Sequence, residues 1–433
     1  MKKKALTVLW GLSVCAASTA AQIAGNLLDS HGQPVRNGSG ELCWRTASWT
    51  PASAARGCDG GVAVPASMPT APPPVPAAPP PVPVPTPTPA APATKGVVYP
   101  VWYGTNRKPS AGKALYSAEL ASTVEYGKIF VEFPAEYFEL LAKEGWISRY
   151  FKSAETALRL RPPIPMKRDG LIADMHDELR KLSREDKVAL VFLHGFNTTF
   201  VQAAQRAASL GYQLKMPVTA FFSWPSLAGE NTAHYYLTDF DLISLSETAI
   251  AQFIADVVRG SGAQRVHLIA HSMGNEALLR VVDGPLKAAA KKYKFRLGQI
   301  ILAAPDVDKE ALEKKAKAYT EIAEGVTLYA STGDVALNFA KGFRPTRHRA
   351  GLLPPAVRAK GIEVIDVGAV NLGVLGHAYV ADELPVLHDM LELVTRGTPV
   401  GQRCRTSRHK DGHWVLAKPS VGTNYADCAK RMR

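Results

Sequence analysis

The sequence has little of what a membrane-spanning or a metal-binding protein needs. Beyond its first residues, no apolar run approaches the about 20 residues of a membrane-spanning helix. Its five cysteines include no Cys-x-x-Cys spacing and no cluster with histidine, which argues against a zinc site. Acidic residues are outnumbered by basic ones, 38 against 51. What remains is a chain of 433 residues with ordinary apolar content, enough for one large domain or two ordinary ones, with no metal or cofactor implied.

The amino terminus has the three regions of a secretory signal peptide. Three lysines follow Met1, residues 5–14 are apolar, and small residues lead to Ala21. This pattern predicts export with cleavage after Ala20 or Ala21, so residues 1–21 would be a signal peptide. Nucleic acid is therefore not an expected partner.

After such cleavage four cysteines remain, and they fall into two close pairs. Cys43 lies near Cys58, and Cys404 lies near Cys428. An even number of cysteines in an exported chain favours disulfides. We therefore predict small disulfide-clipped extensions at the two ends of the mature chain.

The segment before the main domain has two parts. Residues 22–61 are poor in core residues, and residues 62–95 are dominated by proline and alanine, which predicts an extended linker. The sequence C-W-R-T-A-S-W-T-P-A at residues 43–52 resembles a segment of outer-membrane protein A-type envelope proteins. That resemblance implies only a location, the periplasm or outer membrane of a Gram-negative-type envelope.

Positive charge is concentrated at the carboxyl terminus. Residues 396–433 contain nine Lys or Arg residues and two Asp residues, a net charge of +7. Such a basic tail suits an anionic envelope surface. A solvated extension that binds nothing in particular has the same composition, so both interpretations stay open.

From about residue 96 the sequence alternates between β-like and helical patterns. Eight apolar runs are predicted strands: residues 97–103, 127–133, 188–193, 218–223, 266–270, 299–304, 326–330 and 363–367. Five amphipathic windows are predicted helices: residues 199–214, 241–258, 275–290, 309–323 and 383–394. Strands covered by helices on both faces read as continuous apolar runs. We therefore predict an α/β domain over residues 96–395 with a mostly parallel sheet of eight strands, the number that an α/β-hydrolase uses.

One stretch joins a strand, a sharp turn and a helix around a serine. Ser272 lies between the fifth predicted strand and a predicted helix, in the sequence A-H-S-M-G. This is the pattern of a nucleophile elbow, which projects the serine hydroxyl above the sheet. Ala270 replaces the first glycine of the usual G-x-S-x-G pattern, and Gly274 retains the second. A serine that only caps a helix is the alternative, which the preceding strand disfavours.

The oxyanion hole is expected where the third strand ends. His194, Gly195 and Phe196 form a turn at that point, which in this architecture provides the second oxyanion donor. We predict that the backbone N–H groups of Phe196 and Met273 form the hole. His194, like His271, is expected to be structural and not to transfer a proton.

The base and the acid are expected after the serine, because the order in this fold is nucleophile, acid, histidine. His377 follows the last strand in a glycine-rich loop, whereas the alternative His388 lies inside the last helical window. His348 comes too early and is expected at the surface. Asp334 follows the seventh strand, the usual position of the acid. The competing Asp306 follows the sixth strand and is expected to cap the next helix.

Several motifs in this order resemble one family. They are residues 103–107 (Y-G-T-N-R), 192–197 (F-L-H-G-F-N), 222–226 (F-S-W-P-S), 270–274 (A-H-S-M-G), 304–306 (A-P-D), 328–334 (L-Y-A-S-T-G-D) and 376–377 (G-H). Over about residues 96–395 the chain is similar to the esterase/lipase-like α/β-hydrolases called domain of unknown function 900. The resemblance implies the fold and a hydrolytic triad, and says little about the substrate.

These patterns predict an exported serine hydrolase that cleaves an ester or related acyl bond in a small molecule or lipid. Ser272 would form the acyl-enzyme, His377 would transfer protons, and Asp334 would orient the imidazole. Two alternatives stay open: an acyltransferase with the same triad, and a non-catalytic envelope-binding protein on a hydrolase scaffold. Three aromatic residues could line an acyl pocket or pack in the core: Trp224, Tyr235 and Tyr236.

Overall fold

The computed structural model of the chain describes residues 96–135, 137, 157–229, 232–343, 347–370 and 383–417. These residues belong to the second of the two units into which the chain divides, Thr88–Arg433. The predicted signal peptide, the module at residues 22–61, the linker at residues 62–95 and the loop that carries His377 lie outside the described residues. So do Cys43, Cys58 and Cys428, and both cysteine pairings therefore stay predictions.

The described residues contain twelve strands, which form one sheet. Their bounds are β1 (Val97–Pro109), β2 (Tyr116–Phe133), β3 (Arg159–Leu160), β4 (Ile164–Met166), β5 (Val188–Leu193), β6 (Val218–Ser223), β7 (Arg265–His271), β8 (Leu297–Ala303), β9 (Ala323–Ala330), β10 (Ile362–Asp366), β11 (Thr406–Arg408) and β12 (Trp414–Leu416). All eight predicted strands overlap members of this set. The predicted total of eight is too low, because four short strands extend the edges of the sheet.

The sheet is mostly parallel, as predicted. Its order is β11-β12-β10-β9-β8-β7-β5-β6-β1-β2-β3, with β4 paired to β2. Every neighbouring pair from β10 to β1 is parallel, and β2 is antiparallel to β1. The carboxyl ends of these parallel strands therefore lie along one edge, where open α/β sheets form their ligand crevices.

Helices cover both faces of the sheet. Their bounds are α1 (Arg168–Leu179), α2 (Phe200–Gln213), α3 (Thr232–Gly260), α4 (Gly274–Val282), α5 (Pro285–Tyr293), α6 (Lys309–Ile322), α7 (Val335–Phe343) and α8 (Leu384–Arg396). Successive residues of β5 belong to different apolar cores, Val191 to one and Phe192 to the other. Residues of α2 and α8 pack in the Phe192 core, and those of α1, α3, α4, α5 and α6 in the Val191 core. Among the helices described, none has the length and apolar character needed to cross a bilayer.

Local sequence explains where several helices begin. Thr199 and Gln202 form a capping box at the start of α2, which satisfies backbone donors that the first turn leaves unpaired. The predicted helix over residues 275–290 is divided into α4 and α5. Pro285 is the reason, because it has no backbone N–H and suits the first turn of a new helix.

The hydrolase unit continues past the predicted boundary at residue 395. Strand β12 pairs in parallel with β10, and β11 pairs with β12. Arg403 is buried and holds this segment in place, since its Nη1 lies 3.0 Å from an oxygen of Asp389 and its Nη2 contacts Glu363 and Thr327. The described part of the basic tail is therefore an edge of the sheet and not a solvated extension.

Candidate active site

Ser272 occupies a strained turn at the carboxyl edge of the sheet. It lies between the end of β7 and the start of α4 and has a φ of +52°, a conformation that serine rarely adopts. A Cβ on Gly274 would lie 2.5 Å from the carbonyl oxygen of His194, so only glycine fits there. A Cβ on Gly195 would lie 2.8 Å from the Ser272 Cβ. The loop after β5 therefore packs directly on the serine turn.

The backbone of the serine turn is fixed on both sides. The Ser272 N–H donates to the Ala303 carbonyl at 2.9 Å, and the Asp306 N–H donates to the Ser272 carbonyl at 3.1 Å. The buried Asn275 amide donates to the Ala270 carbonyl at 2.8 Å and to the Ser272 carbonyl at 3.1 Å. Asn275 was not singled out from the sequence, although it follows the A-H-S-M-G motif directly.

The two predicted oxyanion donors flank this turn. Met273 is buried at the amino terminus of α4, where unpaired N–H groups and the helix dipole favour a negative charge. Phe196 follows Gly195, the residue that packs on Ser272. Within the described part of the chain, neither the Met273 N–H nor the Phe196 N–H donates to a protein acceptor. Both groups therefore fit the oxyanion role that the sequence predicts.

His194 directly precedes the loop of residues 195–198, which follows β5. Burial first, and then the charge of Arg107, lowers its pKa to about 3, so the ring is neutral. Its Nδ1 lies 2.8 Å from the Gly195 carbonyl oxygen, and its ring stacks on Trp224 with centroids 4.9 Å apart. Trp224 is fully buried and donates to the His194 carbonyl at 3.0 Å. Of the two roles left open for Trp224, the structure places it in core packing.

The two candidate acids lie at the ends of adjacent strands, and both are buried. Asp334 follows β9, and its Oδ1 accepts a hydrogen bond from the Leu337 N–H of α7 at 2.9 Å. The Oδ2 of Asp306 accepts from the Tyr236 hydroxyl at 2.9 Å, and its Oδ1 lies 3.2 Å from Nε of the buried Arg349. Tyr236 and Arg349 thus engage both oxygens of Asp306.

The expectation that Asp306 caps the helix after it is wrong. Asp308 caps α6, with its Oδ1 accepting from the Ala311 N–H at 2.8 Å. The interactions of Asp306 are instead with distant parts of the chain. Arg349 belongs to a basic stretch that looks like a surface loop in the sequence, yet its guanidinium is buried, whereas the neighbouring His348 is exposed as predicted.

The base of the triad stays a prediction. His377 lies outside the described residues. The alternative, His388, lies half-buried on α8. Its pKa is lowered, first by burial and then by the charge of Arg405 in the carboxyl-terminal segment.

An aromatic cluster lies between the loop of residues 195–198 and α7. The Tyr236 ring packs edge-on against Phe196 at 5.5 Å and stacks on Phe343 of α7 at 5.0 Å. Tyr235 is half-buried and packs against Gly229. On α7, Phe339 is 54% exposed, although it is apolar. Helix α7 was not predicted from the sequence. It begins directly after Asp334 and carries this exposed apolar ring.

A strained serine between a parallel strand and a helix, at the carboxyl edge of a doubly covered sheet, defines the chain as an α/β-hydrolase. The model of the family described as "Alpha/beta hydrolase of unknown function (DUF900)" matches residues 171–395. The chain belongs to this family, as its motifs predicted.

Solved structures show more distant similarity. Esterase B from Lactobacillus rhamnosis is 10% identical with a TM-score of 0.32, over 68% of this chain and 84% of that chain. Aspergillus fumigatus lipase B is 11% identical with a TM-score of 0.31, over 49% of this chain and 54% of that chain. An uncharacterized protein from Bacillus cereus is 11% identical with a TM-score of 0.27, over 43% and 54%.

Another similarity covers a short stretch of the chain. Over 58 residues the chain is 40% identical to outer membrane protein A from Bordetella avium. These residues are 13% of this chain and 30% of that protein. The chain thus spans less than a third of the length of this relative.

Proposed function

We propose that this α/β-hydrolase is a serine esterase that forms its acyl-enzyme on Ser272. The observation that carries the proposal is the φ of +52° at Ser272, in a turn held by Asn275 and packed against Gly195. A serine in this conformation costs of order 1–3 kcal/mol, a strain that clusters at active sites. A serine that only caps a helix typically has an extended backbone instead.

The proposed reaction uses the groups that the sequence predicts for the site. The Ser272 Oγ forms a bond to the acyl carbon while His377 accepts its proton, and the N–H groups of Met273 and Phe196 stabilise the oxyanion. The ester C–O bond then breaks, and the alcohol leaves with the proton from His377. Water, activated by His377, releases the acid and restores Ser272. Asp334 orients the imidazole and stabilises its cation.

The apolar surroundings of the site favour an ester with an apolar acyl group. Phe196 and Tyr236 pack together beside the oxyanion loop, and α7 exposes Val335 and Phe339, which are 50% and 54% exposed. Exposed apolar side chains next to a polar site are typical of ligand-binding grooves. We therefore infer that this surface contacts the acyl chain of a small-molecule or lipid ester.

Ester turnover tests the proposal. The purified chain should hydrolyse p-nitrophenyl esters. Ser272→Ala should lower kcat by orders of magnitude, although the oxyanion hole should still give a small residual rate. Ser183→Ala, a change at an exposed serine, is the matched control. A fluorophosphonate should label Ser272. Labelling of another serine, or retained turnover in Ser272→Ala, would refute the proposal, and transfer to an added alcohol in excess of hydrolysis would instead indicate an acyltransferase.

We also propose that the enzyme is exported to the cell envelope. The predicted signal peptide and the similarity to outer membrane protein A support this location. The basic tail supports attraction to an anionic surface, although Arg403 is buried in an ion pair and is not available to such a surface.

A further inference from the structure

Arg107 is a buried cation near the candidate site that the proposed chemistry does not use. It lies in β1, belongs to the Y-G-T-N-R motif, and is only 1% exposed. Its guanidinium donates to the Thr198 carbonyl at 2.7 Å, to the Ser226 carbonyl at 3.2 Å and to the Ser223 hydroxyl at 2.9 Å. Because β6 lies between β5 and β1, the segments that follow β5 and β6 both reach this one side chain.

Asp239, on α3, contacts the same segment from another direction. It is fully buried, and its carboxylate accepts hydrogen bonds from the Ser226 hydroxyl at 2.6 Å and from the Leu227 N–H at 2.9 Å. Burial raises the pKa of Asp239 to about 6, so the group is a carboxylate at neutral pH. Ser226 thus bonds to Arg107 through its carbonyl and to Asp239 through its hydroxyl.

These contacts converge on the loop that carries Phe196. The Thr198 N–H donates to the Ser226 hydroxyl oxygen at 3.3 Å, and the Thr198 carbonyl accepts from Arg107. Asn197 has a φ of +53°, and its side-chain oxygen accepts from the Gly229 N–H at 3.0 Å. The backbone directly after Phe196 is therefore bonded on both sides, which restricts the direction of the Phe196 peptide.

We propose that Arg107 and Asp239 are positioning residues that, with Ser226 between them, hold residues 195–198 so that the Phe196 N–H meets the oxyanion. This inference rests on the proposed esterase function. Buried charges are expensive, and well-packed apolar residues would often stabilise a fold as well or better. Pre-organised donors, in contrast, are a large source of catalysis because they need no reorganisation during the reaction. The need to hold residues 195–198 in one position would therefore explain why Arg107 and Asp239 are buried despite the cost.

The test compares two buried arginines. In Arg107→Met, kcat should fall by about 10- to 100-fold, because small misplacements of catalytic groups have effects of this size, while KM stays unchanged. Arg403→Met is the matched control: Arg403 is also buried, with its polar contacts to Asp389 and Glu363, but it lies beside β11 and β12, at the edge of the sheet far from β1. It should lose thermal stability and keep its kcat.

A second variant and a second measurement keep the proposal open to refutation. Ser226→Ala removes the hydroxyl shared by Thr198 and Asp239, and it should lower kcat in the same direction with a smaller loss of stability. Hydrogen exchange at residues 195–198 should accelerate in both variants and not in Arg403→Met. This readout needs no turnover, so it distinguishes failure of the inference from failure of the esterase proposal. Unchanged exchange in both variants, or an equal fall of kcat in Arg403→Met, would overturn the inference.

Discussion

The two candidate acids should respond in opposite ways to the same substitution. Asparagine keeps the size of aspartate and removes its charge. At Asp334, asparagine can still cap α7, since it is as good a capping residue as aspartate, but it cannot hold the imidazole of His377 in the required tautomer. At Asp306, it removes the charge that faces Arg349 across 3.2 Å, with both side chains almost fully buried.

The expected magnitudes separate these effects. Changing the acid of a triad to its amide lowers kcat by about 10⁴ with the geometry intact, so Asp334→Asn should be nearly inactive and melt normally. Breaking a buried ion pair by removing one partner costs about 3–5 kcal/mol. Each kcal/mol lowers the melting temperature by roughly 2–4 °C in a domain of moderate size. Asp306→Asn should therefore melt about 10 °C lower and keep most of its kcat when assayed well below its melting temperature.

Ester turnover and thermal melting of both variants decide between the acids. Arg349→Met provides a control, because it breaks the same ion pair from the other side and should share the stability loss of Asp306→Asn. The assignment of Asp334 fails if Asp306→Asn loses about four orders of magnitude in kcat while Asp334→Asn remains active.

Two further predictions concern the surface of the enzyme. Phe339→Ser should lower kcat/KM for a long-chain ester by about 10-fold and leave kcat/KM for an acetate ester unchanged. The control is Val98→Ser, at an exposed apolar position near the start of β1, which should change neither value. Equal effects of Phe339→Ser on both esters would show that α7 does not contact the acyl chain. Truncation after Ala417 removes a net charge of +3, and co-sedimentation with anionic vesicles should weaken both on truncation and with added salt, because screening acts within about 8 Å at physiological ionic strength. Binding that is insensitive to both would mean that the tail is not the attachment.

The central sheet and the serine turn could be predicted because their signals are local. Every residue of β6 and β8 is buried, and their sequences are mostly apolar. The turn at Ser272 needs a small residue at a fixed spacing, and Gly274 fulfils that need next to a strand and a helix. Signals of this kind survive in the sequence whatever surrounds them.

The interactions around the site could not be predicted, because they join residues that are far apart in the chain. Asp306 and Asp308 have the same local preference for a helix start, and only the contact of Asp306 with Arg349 separates their roles. Arg349 and Arg403 each look like members of solvated basic stretches, yet both are buried in ion pairs. Strands β11 and β12 have three residues each, too few to show a period.

The hairpin of β11 and β12 determines where an expression clone of this hydrolase can end. The family match stops at residue 395, and a clone cut there would lack Arg403 and leave the acidic groups of Asp389 and Glu363 without their cation. It would also leave the parallel strand β10 as an open edge, with unpaired backbone groups that can pair with another molecule and aggregate. If protein from such a clone is insoluble, the missing edge is the expected cause. A clone of the hydrolase domain should therefore extend at least to Leu416, where β12 ends.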